Sequence, residues 1–168
     1  MRQAKDRKGL RWVVLAVLGV ASVGSSAPAS THALSEVLDE FVGYYIPMQE
    51  LLAADAADAV ARVKERAAKI AAEAAFYASH SADKAKFESL ATAAKAMTAA
   101  DLEGLREQFR GLSRALAVLV EKQPVDGHGI YFCPMADAYW IQKVGEVRNP
   151  YYGKFMLNCG AKVEKVDG

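Results

Sequence analysis

The chain has 168 residues, of which 52% are hydrophobic and 24% are charged, a composition typical of globular rather than disordered proteins. Once an N-terminal export signal is set aside, roughly 140 residues remain, enough for one domain with its own core and too few for two. The formal net charge is +1, but the first eleven residues carry +4 and the remainder carries −3. This uneven charge argues against nucleic acid as a partner.

The first 29 residues have the three-part layout of a secretory signal peptide. A basic start ends at Arg11, an apolar run covers residues 12–23, and small residues follow. Cleavage after Ala29 fits a small-x-small site, and a second such site follows closely. The apolar run is too short for a comfortable membrane span, although an uncleaved anchoring helix is the alternative. We therefore expect residues 1–29 to be removed and residues 30–168 to be a single periplasmic domain without a stable membrane span.

Four apolar stripes with spacings of three and four residues run from residue 34 to residue 123, and each predicts a helix with one buried face. The connections between them are short, which favours antiparallel neighbours, and residues 98–101 resemble a capping box with Asp in place of Glu. The sequence therefore predicts a mainly α fold, an antiparallel four-helix bundle. The stripes are Leu34, Leu38, Phe41, Tyr45, Met48, Leu52; Val60, Val63, Ala67, Ile70, Ala74, Tyr77; Phe87, Leu90, Ala94, Met97; and Leu102, Leu105, Phe109, Leu112, Leu116, Leu119.

The fourth predicted helix carries three arginines spaced four residues apart, Arg106, Arg110 and Arg114. Glu103 and Glu107 lie within three residues of Arg106 and Arg110, so we expect a solvated face whose charges pair along the helix. A docking site for an acidic partner is the alternative interpretation.

The segment of about residues 125–160 loses the helical periodicity and carries both cysteines of the chain. Aromatic and β-branched residues predict a small β-hairpin with strands at residues 130–133 and 138–142. Side chains two apart in a strand, or three apart in a helical turn, share a face. If the first pair is extended and the second helical, four sulfurs can converge, from Cys133 and Met135 and from Met156 and Cys159. Such thiolate and thioether donors select Cu(I) or Ag(I) over hard cations.

A disulfide between Cys133 and Cys159 is the main alternative to a metal site, because exported domains of this size are commonly stabilised in this way. Two unrelated free thiols are a third possibility. The cysteine spacing fits neither covalent haem attachment nor a Cys-x-x-Cys redox pair. Because nucleophile-elbow and phosphate-loop motifs are also absent from the sequence, we expect that the protein is not an enzyme.

The C-terminal motifs resemble a family of bacterial exported domains that occur alone and fused to the periplasmic adaptor subunits of CusB-type heavy-metal efflux systems. The resemblance extends to residues 51–55 and 106–116, although only Asp137 separates the first two motifs here, which implies a tighter hairpin. It implies a periplasmic helical domain that handles copper or silver, with Cys133, Met135, Met156 and Cys159 as ligands. The motifs are Tyr131-Phe-Cys-Pro-Met-Ala136, Ala138-Tyr-Trp140 and Glu146-Val-Arg-Asn-Pro-Tyr-Tyr-Gly-Lys-Phe-Met-Leu-Asn-Cys-Gly160.

Two functions therefore follow from the sequence. The first, which the sequence favours, is a soft-metal module that captures Cu(I) or Ag(I) in the periplasm and transfers it to a partner. The second is a disulfide-stapled interaction domain that binds an efflux adaptor or another envelope protein and no metal.

Overall fold

The computed structural model describes residues 34–167, a mainly helical chain followed by a small sheet. Its helices are α1 (Leu34–Ala53), α2 (Ala59–His80), α3 (Lys84–Lys95) and α4 (Leu102–Lys122), and its strands are β1 (His128–Cys133), β2 (Ala138–Lys143) and β3 (Ala161–Val163). The four predicted helices and the predicted hairpin are thus confirmed. Among the residues described, no helix is long and apolar enough to cross a membrane. The expected signal peptide lies outside these residues.

The start of α4 shows how a local sequence pattern ends a loop and begins a helix. Asp101 has an extended backbone, and its side chain accepts a hydrogen bond from the backbone N–H of Gly104 at 2.7 Å. This is an N-cap, which satisfies one of the amides that the first helical turn leaves unpaired. The cap is therefore Asp101 itself rather than Thr98, where the capping-box interpretation had placed the start of the motif. The backbone N–H of Thr98 instead donates to Gln108 Oε1 at 2.9 Å.

Aromatic side chains join the four helices in one core. Phe41 of α1 lies 6.0 Å from Tyr77 of α2 and 6.1 Å from Phe87 of α3, measured between ring centroids. Tyr45, one turn after Phe41, stacks on Phe109 of α4 at 4.9 Å. These rings are large, and their burial supplies much of the hydrophobic stabilisation in a chain whose α2 and α3 are rich in small alanines.

The sheet has the strand order β2-β1-β3, with both pairs antiparallel. β3 is not among the elements predicted from the sequence, and it pairs with residues 130–132 of β1. β2 is buried along almost its whole length and packs against α1 and α4, so the sheet shares one continuous core with the helices. Trp140 and Ile141 of β2 are both fully buried in that core.

Two tyrosine hydroxyls cover the outer edge of β2. The Oη atom of Tyr45 accepts a hydrogen bond from the backbone N–H of Ile141 at 3.3 Å and shares another with Ser113 Oγ at 2.6 Å. The Oη atom of Tyr151 donates to the backbone carbonyl of Tyr139. The backbone groups that an edge strand usually leaves to solvent are therefore paired with side chains at these two positions.

Candidate functional site

Cys133 and Cys159 form a disulfide, with their Cα atoms 5.8 Å apart. Cys133 is the last residue of β1 and is fully buried, whereas Cys159, shortly before β3, is half-buried. Of the three interpretations of the cysteines, the disulfide is the one found in the structure. The bond joins residues 26 apart, and in the chain-entropy model a loop of that length adds roughly 3–4 kcal/mol to the stability.

Asn149 organises the segment that brings Cys159 back to β1. Its side chain is fully buried, and Nδ2 donates to the backbone carbonyl of Cys159 at 2.8 Å. Its Oδ1 accepts from the backbone N–H of Tyr151 at 2.8 Å, and its own N–H donates to the carbonyl of Leu157 at 2.7 Å. One side chain thus pairs backbone groups on both sides of the loop, and this turn chemistry is typical of Asn. In the sequence, Asn149 stands out only as one residue of the third C-terminal motif.

Trp140 packs against the backbone next to Cys159. Its Nε1 donates to Gln142 Oε1 at 2.8 Å, and its ring stacks on Tyr131 at 5.6 Å between centroids. Gly160, the residue after Cys159, has a positive φ of 130°, and a Cβ placed there would collide with the Trp140 ring. The backbone can therefore pass over the indole only because residue 160 is a glycine.

Of the four predicted sulfur ligands, Cys133 and Cys159 meet in the disulfide. Met135 lies in the turn between β1 and β2 with 65% of its surface exposed, and Met156 lies half-buried just after the 3-10 helix Gly153–Phe155. His128, at the opposite end of β1 from Cys133, has its Nδ1 2.8 Å from the carbonyl of Asp126. Within residues 34–167, no group of three or more His, Cys, Asp or Glu side chains is placed to hold a metal ion.

Exposed apolar side chains lie on the same C-terminal segment as the disulfide. Phe155 is 87% exposed, the largest exposure of any large apolar residue in the described chain. Tyr152, one turn earlier, donates its Oη hydrogen to the carbonyl of Met135 at 2.9 Å and so connects the segment to the β1–β2 turn. We call Met135, Tyr152 and Phe155 the apolar surface. Exposed aromatic and Met side chains of this kind are enriched in protein interfaces.

Arg106 does not belong to a solvated face, which corrects the sequence expectation. Its guanidinium donates to the carbonyl of Pro150 at 2.9 Å and to that of Leu52 at 2.6 Å, and it pairs with Asp55. Asp55 also accepts from the backbone N–H of Lys154 at 2.9 Å. The hydrogen bond from Arg106, followed by that from Lys154, holds the pKa of the Asp55 carboxyl below its ordinary value. Arg106 therefore ties the α1–α2 turn to the loop that precedes the apolar surface.

The other two arginines of the row also bind the C-terminal segment. Arg110 donates to the carbonyl of Ala136, and its guanidinium lies 5.2 Å from the ring centroid of Tyr151. Arg114 lies 5.8 Å from the ring centroid of Tyr139. The pairing of Arg110 with a glutamate on its own helix, which the sequence predicted, is also present. The row nevertheless acts mainly as a seam between α4 and the C-terminal segment, because each guanidinium contacts a residue after position 135.

No protein-family model, curated protein or solved structure matches this chain. The geometry of the cysteine segment is therefore the main evidence for function. It consists of a disulfide at the end of β1, a tightly bonded loop around Asn149 and exposed apolar side chains at Met135 and Phe155. Such an arrangement can present a rigid surface to another molecule.

Proposed function

We propose that this chain is a disulfide-stapled, non-enzymatic interaction domain of the bacterial envelope. The observation that carries the proposal is the Cys133–Cys159 disulfide, which fastens the segment bearing the exposed Phe155 to the sheet. Disulfides persist in oxidising compartments such as the periplasm, which supports export of the chain. The four helices act as the scaffold, and their short connections support an antiparallel bundle.

The apolar surface is the site through which the domain binds its partner. Covering an exposed phenylalanine with a partner buries apolar surface and so favours binding. Aromatic residues often contribute most of the binding energy of an interface. The segment is already held in place by the bonds of Tyr152 to Met135 and of Lys154 to Asp55. Little conformational entropy is then lost on binding, which favours affinity. The resemblance of the C-terminal motifs makes a periplasmic efflux adaptor subunit the partner to test first.

Binding to a purified CusB-type adaptor subunit tests this function, with the oxidised protein immobilised through a terminal tag. We expect Phe155→Ser to weaken binding at least about tenfold, because hot-spot truncations typically cost more than 1.4 kcal/mol. Phe76→Ser is the matched control, since Phe76 of α2 is also an exposed phenylalanine, at 58%, and belongs to a different element. No binding by the wild type, or equal losses in both variants, would contradict the proposal.

A soft-metal module is the second candidate, and one observation favours it: the two cysteine sulfurs meet. Reduction of the disulfide by two electrons and two protons leaves two thiols in adjacent positions, and their thiolates are donors that select Cu(I) or Ag(I). Met135 and Met156 are the thioethers closest in sequence to these cysteines. In the oxidised protein, however, neither cysteine is available as a thiolate, so metal capture requires the reduced form.

Titration with Cu(I) against a competing chelator separates the two functions. If the metal function holds, the reduced wild type binds about one Cu(I), and oxidation abolishes this binding while the helical content stays unchanged. Cys133→Ser/Cys159→Ser then loses much more affinity than Met135→Leu/Met156→Leu, because an anionic thiolate is the stronger donor. Unchanged Cu(I) affinity in the double-cysteine variant would rule out a metal site at these cysteines.

A further inference from the structure

Two carboxylates share one phenol at the contact between α1 and α2, on a part of the molecule that the proposed function does not use. Tyr44 Oη lies 3.1 Å from Oε1 of Glu73 on α2 and 3.2 Å from Oε1 of Glu40 on α1. A tyrosine hydroxyl has a single hydrogen to donate, so it does not satisfy both carboxylates fully. The bond to Glu73 is the main reason why the pKa of Tyr44 is raised to about 12, which keeps the hydroxyl protonated as a donor.

The second oxygen of Glu73 is shielded from solvent and has no hydrogen-bond partner in residues 34–167. An ionised carboxylate in that position loses hydration without gaining a replacement, which disfavours its charged form. Burial is accordingly the largest cause of the raised pKa of Glu73, and the charge of Glu40 adds to it. The hydrogen bond from Tyr44 and the charge of Lys69 act in the opposite direction.

The charges that surround this contact are mostly negative. Lys69 of α2 is a cation close to the phenol, with its Nζ 5.9 Å from the ring centroid of Tyr44, but it also pairs with Glu65 at 3.5 Å. The pKa of Tyr77, one turn after Glu73, is raised by burial and by three carboxylates, of which Glu36 on α1 is one. Repulsion between α1 and α2 therefore persists while Glu73 is ionised.

We propose that Glu40, Tyr44 and Glu73 form a proton-sensitive contact, in which Glu73 takes up a proton as the medium acidifies and the packing of α1 against α2 becomes more stable. The proton binds a carboxylate oxygen of Glu73, which removes the repulsion from Glu40 and the desolvation of a buried charge. This device is independent of the apolar surface and of the cysteines, because both of its elements are helices of the scaffold.

The sign of the effect follows from the direction of the shift. Because the folded chain holds the Glu73 proton up to a higher pH than the unfolded chain, the contribution to stability is complete below the ordinary value of 4.5. It is lost as the pH rises through the higher value of the folded state. Glu73→Gln, which is neutral at every pH, should therefore be more stable than wild type at pH 7, and the difference should shrink on acidification.

Carboxyl-carbon NMR titration of the full chain tests the proposal directly. We expect the Glu73 midpoint to lie above 4.5 in the wild type, to fall in Glu40→Gln and to rise in Tyr44→Phe, because these variants remove a repulsion and a hydrogen bond to the charged form. If Glu40 and Tyr44 had a merely structural role, their replacement would not shift the Glu73 midpoint in opposite directions. Glu88→Gln is the control for stability, since Glu88 is an exposed carboxylate on α3 that pairs with Lys84 and not with Lys69. A Glu73 midpoint at or below 4.5, or one that Glu40→Gln leaves unchanged, would overturn the proposal.

Discussion

Replacing Arg106 by Met should destabilise the domain far more than the loss of a surface charge. Met keeps a long apolar side chain but removes the donors to the carbonyls of Leu52 and Pro150 and the partner of Asp55. The side chain of Arg106 is only 17% exposed, so water replaces these bonds poorly. The turn after α1 and the loop that carries the apolar surface should both loosen as a result.

The expected loss of stability follows from the three bonds of the Arg106 guanidinium and from the partial exposure of its ion pair with Asp55. A hydrogen bond to a charged group contributes roughly 1.5–3 kcal/mol, and breaking a fully buried ion pair costs roughly 3–5 kcal/mol. Asp55 is partly exposed, so solvent screens part of the loss, and we expect a cost of about 2–3 kcal/mol for Arg106→Met at pH 7. The pKa of Asp55 is lowered in the folded state, so this contribution is present above the unfolded value of 3.8 and is lost as the pH falls through the folded value.

Urea denaturation followed by far-UV circular dichroism measures this cost. Arg62→Met is the matched control, because Arg62 forms an exposed ion pair with Asp58 on the surface of α2 and should cost less than about 1 kcal/mol. We also expect the difference in stability between Arg106→Met and wild type to narrow as the pH falls below 3.8, because the contribution of Asp55 is lost as the pH falls through its lower folded-state pKa. If Arg106→Met and Arg62→Met had the same denaturation midpoint, the assignment of Arg106 as a seam residue would be refuted.

Two further substitutions test how the cysteine segment is held. Trp140→Ala should cost roughly 3–5 kcal/mol, more than any arginine of α4, because the indole is fully buried; a midpoint equal to that of wild type would contradict this. Gly153→Ala should destabilise the domain and raise its susceptibility to proteolysis, since φ is 54° there and a Cβ would collide with Asp55 and Arg106. Gly43→Ala, in an open position of α1, should instead stabilise it by about 0.5–1 kcal/mol, and similar thermal midpoints for the two variants would speak against the close approach at Gly153.

The elements that the sequence predicts well are those with a strong local pattern. The stripe from Leu105 to Leu119 repeats every three or four residues, and this periodicity alone places α4 correctly. The hairpin is similarly visible in the aromatic residues on either side of the turn. β3 has no such pattern: its three residues form a strand only because β1, which lies about thirty residues earlier, offers an edge to pair with.

The parts of the site that the sequence missed depend on contacts distant along the chain. Arg110 has a glutamate three residues before it, so local spacing predicts the ion pair that the structure also shows. The spacing does not predict the contact of Arg110 with the ring of Tyr151, because Tyr151 lies over forty residues later in the chain. The cysteines pose a similar problem, because a spacing of 26 residues favours a disulfide but is also compatible with a metal site. Their state depends on how the loop around Asn149 folds back onto β1, which requires the tertiary structure.

The hydroxyls of Tyr45 and Tyr151 also limit how this protein can associate. A strand edge with free backbone groups is a template on which a second chain can add a strand, and this is a common route to domain swapping and aggregation. Since both hydroxyls pair with the backbone of β2, an incoming strand would first have to displace them from the core. Growth of the sheet is then confined to β3, which has three residues and an exposed lysine at its centre. Backbone pairing with a second chain at β2 is thus disfavoured, so a partner of the proposed kind would contact side chains instead.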